Sequence, residues 1–269
     1  MTTSQGIDPL AGIWAKMERA NEHFEMLDRE VRSYGSRNPY DVVRQEHPNF
    51  GIDGRDYVAF VLHLREETPL RLSTILGDCI HNLRSVLDYL ACQLVIAAGN
   101  KPRRGSGGTQ FPIYAKKPMK SVNVVPGVQS GALTLIESFQ PYHDEDNANL
   151  HPLTTIQQLS NADKHRNLVT ASAYVLNAAA NLRDPKTGQV LSNPISDGFL
   201  YDDAVIGWYV RSPGGLLSET DTEVQVEGST TVSLPELEGF NYVPIQIPIQ
   251  NALDFVEDTV IPALTPFLQ

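Results

Sequence analysis

The chain has 269 residues, 41% hydrophobic and 20% charged, enough apolar material for one sizeable core. Its formal net charge of -11 argues against an extended nucleic-acid-binding face, because affinity for phosphates comes largely from Lys and Arg. No window reaches the roughly 18 apolar residues of a membrane span, and the start Met1-Thr-Thr-Ser-Gln-Gly6 lacks the basic and apolar regions of a signal peptide.

The first helix opens at Asp8-Pro9, a capping residue followed by a proline suited to the first helical position. Ile13, Met17, Ala20, Phe24, Leu27 and Val31 recur at helical spacing as far as Tyr34-Gly35. Residues 40–47 and 55–65 read as two strands joined by a turn containing Asn49 and Gly51-Ile-Asp-Gly54. The longest helix opens at Thr68-Pro69 and ends at Gly99-Asn100. Residues 101–110 have loop composition, and Phe111-Pro-Ile-Tyr114 re-enters as an extended piece. Helices are expected near 128–139 and over about 150–166. Beyond residue 167 the pattern turns to period two, with candidate strands at 168–177, 204–211, 222–233 and 241–249. The last of these carries Pro244 and Pro248 and is therefore expected at an edge. A closing helix runs from about 250 to 261, bent or stopped by Pro262.

The expected fold is α+β. An N-terminal helical bundle with a β-hairpin insertion occupies 1–166. A small antiparallel sheet and a closing helix fill 167–269, and the two halves form one compact unit. Cys79 and Cys92 fall in one helix 13 residues apart, about 20 Å along its axis, too far to bond. Reduced thiols and the absence of a leader give a cytoplasmic protein as the expectation.

On a wheel of 100° per residue, Leu76, Cys79, Ile80, Leu83, Val86, Leu87, Leu90 and Leu94 form one broad apolar face of the long helix. Asp78, His81, Asn82, Ser85 and Asp88 gather on the other side, with no Lys or Glu between Arg71 and Lys101. A solvent face would carry those residues. The pattern therefore predicts a helix covered on both sides and an internal polar seam. Buried acids need donors, and Lys164, His165 and Arg166 supply them, with Asn161 and Asp163 within one turn and Arg19 and His23 on the first helix. On this reading Asp78→Ala costs about 3–5 kcal/mol, as for a broken buried pair, and more than the same change at Asp41 on a strand edge.

Two chemistries fit such a seam. One is a binding or interaction role, in which Arg19, His23, Asp78, Asn82, Asp88, Asn161, Lys164 and Arg166 hold a small anionic ligand or a protein partner. The other is hydrolysis, with His81, His165 and Asp163 as the catalytic candidates and Lys164 or Arg166 stabilising negative charge. Asp78-x-x-His81 supplies half of a carboxylate-bridged metal site, but the second half is missing. There is no Gly-x-Ser-x-Gly elbow, phosphate loop or dinucleotide fingerprint. No metal and no cofactor are expected.

Arg19-Ala-x-x-His23, Gly77-Asp-x-x-His-Asn-Leu-Arg-Ser-x-Leu-Asp88, Phe111-Pro-Ile113, Gln140-Pro-Tyr142 and Asn161-x-Asp-Lys-His-Arg166 together resemble a family of uncharacterised bacterial and phage-borne proteins over roughly residues 10–170. That resemblance implies a shared site and no assigned activity. A more distant similarity is to the HEPN helical domains, which include RNA-cutting toxins and defence proteins and imply ribonuclease chemistry. Their Arg and His are separated by four to six residues, whereas Arg19 and His23 here have three between them.

Overall fold

A computed structural model describes residues 8–47, 57–104, 108–118, 125–165, 171–176, 180–183, 190–193, 199–200, 203–210, 223–225, 228–234, 237, 240 and 243–268. The chain is α+β. The hairpin turn and residues 105–107 lie outside those ranges.

Helix α1 spans Ala11–Ser36, and strands β1 (Tyr40–His47) and β2 (Tyr57–Leu64) follow. The long helix α2 covers Leu70–Ala97, α3 Ser130–Ser138 and α4 Pro152–His165. Strands β3 (Ala171–Leu176), β4 (Ala180–Arg183), β5 (Val190–Asn193), β6 (Phe199–Leu200), β7 (Val205–Val210), β8 (Glu223–Gln225) and β9 (Gly228–Ser233) come next. They form three-stranded antiparallel sheets in the orders β1-β2-β7, β6-β3-β9 and β5-β4-β8. Strands β4, β5 and β6 are too short to leave a period-two signature, and no strand is expected there from sequence.

The segment 241–249 is not an edge strand. Helix α5 spans Gln246–Asp254 and continues through a π-helical turn, Phe255–Val260, into α6, Ile261–Leu264. Ile245, Ile249, Ala252, Leu253, Val256 and Val260 are buried, which is helical spacing. The alternation of isoleucines over five residues hides it. Pro248 sits at the third helical position, where its missing N–H has no intrahelical acceptor to lose. Pro262 follows the π turn, where the Ile261 N–H reaches back five residues to the Val256 carbonyl. In a regular α-helix the Pro262 ring meets the carbonyl of residue 258, and the wider turn relieves that clash.

The chain folds into two compact units rather than one. The first combines Met1–Arg29, Leu70–Val169 and Leu234–Gln269, and the second Glu30–Pro69 and Thr170–Ser233. The division expected at 166/167 therefore does not hold as a single cut. The hairpin belongs with the later strands, and the closing helix belongs with the helical unit.

In the helical unit the expected apolar face of α2 is buried in full, from Leu76 to Leu94. Helix α1 meets it where the Cys79 thiol donates to the Ala20 carbonyl at 3.4 Å. Both cysteines are free, and burial pushes the Cys79 thiol up to about 12. At the start of α4, His151 acts as a cap: its Nδ1 accepts the Leu153 N–H at 3.1 Å while its ring packs edge-on against Phe255.

In the second unit, Tyr34 donates to the Glu66 carbonyl at 2.7 Å, and Arg37 forks onto the Glu66 carboxylate with a closest approach of 2.6 Å. Gly35 lets α1 lie against β9: a Cβ there would stand 2.9 Å from the Thr230 carbonyl oxygen. That oxygen is backbone and cannot swing away. Gly35→Ala is expected to lower stability by a net of about 1 kcal/mol, overpacking of about 1–3 kcal/mol outweighing the gain in helix propensity. A urea midpoint equal to or above wild type would contradict the close approach.

Candidate functional site

The polar stripe of α2 divides into two parts with different work. At its C-terminal part, Arg84 and Asp88 form an i,i+4 ion pair of 2.9 Å, with side chains 15% and 27% exposed. Asp88 also accepts the Phe111 N–H at 2.9 Å, and Arg84 donates to the Phe111 carbonyl at 2.9 Å. Gln140, 1% exposed, does the same for the next residues. Its Nε2 donates to the carbonyls of Pro112 and Ile136 at 3.0 and 2.9 Å, and its Oε1 accepts the Tyr114 N–H at 3.0 Å. The extended piece 111–114 is thus held by side chains instead of a neighbouring strand. Tyr142 is buried and donates to the Glu137 carboxylate; burial and that partner push its hydroxyl up to about 12. Asp88 therefore has a structural role, holding the Arg84 guanidinium and the Phe111 N–H, at a position where the stripe suggests a ligand contact. The Arg84 role is legible in the sequence as an i,i+4 pair, and Gln140 gives no such signal.

The N-terminal part of the stripe is open. Asp78 and His81 are exposed, so the helix is not covered on both sides, and Tyr89 and Ile96, at 45% and 50%, continue the uncovered line. Asn82 is buried and bonded: it donates to the Asp78 carbonyl at 2.7 Å and accepts from the Lys16 ammonium at 3.0 Å. Lys16 is not among the expected site residues, although it shares a helical face with Arg19 and His23. Ser85 donates to the His81 carbonyl at 2.8 Å, so its hydroxyl is spent on its own helix.

Three helices meet around Asp78. Helix α1 contacts α2 along Cys79 and Asn82. Helix α4 approaches at Gly77, where an added Cβ would stand 2.6 Å from Asp163 Oδ1. At 100° per residue Asp78 lies between these two lines of contact. His23 comes from α1, 7% exposed, with Nδ1 shut off from solvent and without a hydrogen-bond partner among the described residues. Burial, and then the Arg19 charge, lower its pKa against the opposing pull of Asp78 and Glu22. Arg19 itself is half-exposed and paired with Glu22 at 2.6 Å.

The structure thus brings Asp163 to Gly77 and places His23 within electrostatic reach of Asp78. Asn161 and Lys164 are exposed on α4. The His165 side chain and the whole of Arg166 lie outside the described residues. Among the described residues no three His, Cys, Asp or Glu side chains converge as metal ligands, and no helix is long and apolar enough to cross a membrane.

The buried role expected of Asp78 falls to Asp88. Asp88→Ala strands the Arg84 guanidinium and the Phe111 N–H, a loss of about 1–3 kcal/mol for each buried group left unsatisfied. Asp78→Ala, at an exposed position, should cost less than Asp88→Ala. Asp41→Ala loses a half-exposed pair with Arg65, for which about 0–1 kcal/mol is typical. Urea midpoints of the three variants check the order.

Stability should also fall in mild acid. His23 and His151 are both held below the ordinary 6.5, burial being the largest cause for each. The unfolded chain then takes up protons that the folded chain resists. Their contribution is complete above about 6.5 and is lost as pH falls through the lowered folded values. The urea midpoint should drop between about pH 7.5 and about pH 5.5, the range that spans the unfolded histidine value. His151→Asn, which keeps a capping acceptor, and His23→Gln should each flatten that drop.

No family model, curated protein or solved structure matches this chain, so the site stands on its own geometry.

Proposed function

We propose that this is a binding protein that takes a small polar ligand on the open face where α1, α2 and α4 meet, around His23, Asp78, His81 and Asp163. One observation carries the reading. Asp163 lies over Gly77 and Asp78 is the next residue along, yet neither carboxylate has an ion pair or hydrogen bond among the described residues. The acids that hold the fold together, Asp88 and Glu137, are by contrast fully engaged. Both carboxylates are exposed and free to meet a ligand, and beside them the buried His23 nitrogen lacks a partner among the described residues, a state that costs stability unless something completes it.

A hydrolytic use of the same face, with His81 and His165 as acid and base, needs a partner that orients the base. The His81 ring has none among the described residues, so binding is the better-supported reading.

The test is thermodynamic. If the face serves a ligand, Asp78→Asn and Asp163→Asn leave stability unchanged or raise it by up to about 1 kcal/mol, as removal of unpaired like charges does. If the two acids hold the helices in register, each variant loses about 3 kcal/mol or more, as when a buried pair is broken. That second result, read from urea midpoints, would overturn the proposal.

A further inference from the structure

We infer that two copies of this chain pair through the exposed stripe of α2, turned end for end about a two-fold axis level with Cys79 and Ile80. The inference goes beyond the ligand reading and shares its face, because a second copy there covers Asp78 and His81.

Leu70, Thr74, Asp78, His81, Ser85 and Tyr89 follow one another at four, four, three, four and four residues, along one side of α2. At 100° per residue that side lies midway between the Asn82 line, which faces α1, and the Gly77 line, which faces α4. Five of the six are exposed, Leu70 by 67%, and Ser85 is half-buried. Yet α2 carries no Lys or Glu. A helix face in solvent normally carries such residues, and the cores of protein interfaces are depleted in them. The pattern that predicts cover on both sides of α2 is met when the second cover is another molecule.

The order of the residues says which molecule. A parallel pair sets each side chain against its own copy, Asp78 against Asp78, and like charges repel. Reversed about the level of residues 79–80, the same order becomes its own complement. Asp78 comes level with the partner's His81, whose ring N–H donates to the carboxylate. Thr74 comes level with the partner's Ser85, two small side chains that let the helix axes approach closely. Leu70 comes level with the partner's Tyr89, apolar against aromatic. By symmetry each contact is made twice. A register centred on Ser85 instead leaves Asp78 opposite the partner's Cys92, whose thiol is a weak donor. The α2 strip is about 30 Å long and about 10 Å wide, below the roughly 800 Å² per partner of a standard interface. The pair is therefore reversible, in exchange with the single chain at micromolar concentrations.

The experiment measures the mass of the full chain by sedimentation equilibrium from about 1 to about 300 µM, a range that spans weak pairing. The wild type should shift from one copy to two across that range. The double variant Asp78→Arg with His81→Arg sets cation against cation at the central contacts, and His81→Asp sets acid against acid. Each should weaken pairing about tenfold or more, as like-charge contacts do. Mixing the two variants in equal amounts should restore it, because each chain then meets the opposite sign at both contacts. Ser85→Arg, a long cation at the middle of the stripe, should also abolish pairing. Melting temperatures at about 1 µM should match wild type, since these positions are not buried. A wild type that stays single to about 300 µM overturns the inference and leaves the ligand reading standing. Pairing that survives Ser85→Arg overturns it too, because the contact then lies elsewhere. So does a mixture that fails to pair, because the stripes then do not meet in this order. Urea midpoints taken at about 1 µM, where the chain is single, test the ligand reading by itself.

Discussion

An extended backbone laid across helices has no ladder to take up its N–H and C=O groups, and buried groups of this kind must find partners. Residues 111–114 meet that requirement with side chains: Arg84 and Asp88 on one residue, Gln140 on the next positions. This clamp joins two helices of the helical unit through one extended segment. It ties α2 to the segment leading into α3, and Gln140 ties the end of α3 to the same segment. Four residues of the motifs singled out in the sequence, Arg84, Asp88, Gln140 and Tyr142, are accounted for by this backbone requirement and its immediate neighbourhood.

The open part of the stripe follows from what the clamp leaves over. Once Asp88 is engaged, the polar residues still uncommitted are His81 and Asp78, about two and three turns earlier on α2, together with what α1 and α4 bring to them. Gly35 and Gly77 show how the same residue type serves two ends. At Gly35 the neighbour is a backbone carbonyl, and the glycine serves packing. At Gly77 the neighbour is a carboxylate, and the glycine serves its placement.

Long periodic elements are legible in the sequence because their signal is strong. Helices α1, α2, α3 and α4 and strands β1, β2, β3 and β7 fall where spacing puts them. The closing helix is legible only in part, because Tyr-Val-Pro-Ile-Gln-Ile-Pro-Ile alternates over a stretch too short to separate the two periods, and its prolines argue for a strand edge. The polar stripe is legible as a set, but its burial is not. The absence of Lys and Glu points to a covered surface, whereas Asp78, His81, Tyr89 and Ile96 are exposed. The partners of Asn82 and Asp88 come from residues 66 and 23 positions away, beyond the reach of local pattern.

The helical unit draws on three separate stretches of chain, the last beginning at Leu234. Ile249, Leu253, Val256, Val260, Ile261 and Leu264 bury themselves there, and α5 packs on α4. On a ribosome the unit therefore stays incomplete after α4 has emerged. The roughly 80 residues between α4 and α5 take about 4–16 s to synthesise at about 5–20 residues per second. During that interval the apolar faces of α1, α2 and α4 lack their final cover, and the nascent chain is open to chaperones and to aggregation until its last helix arrives.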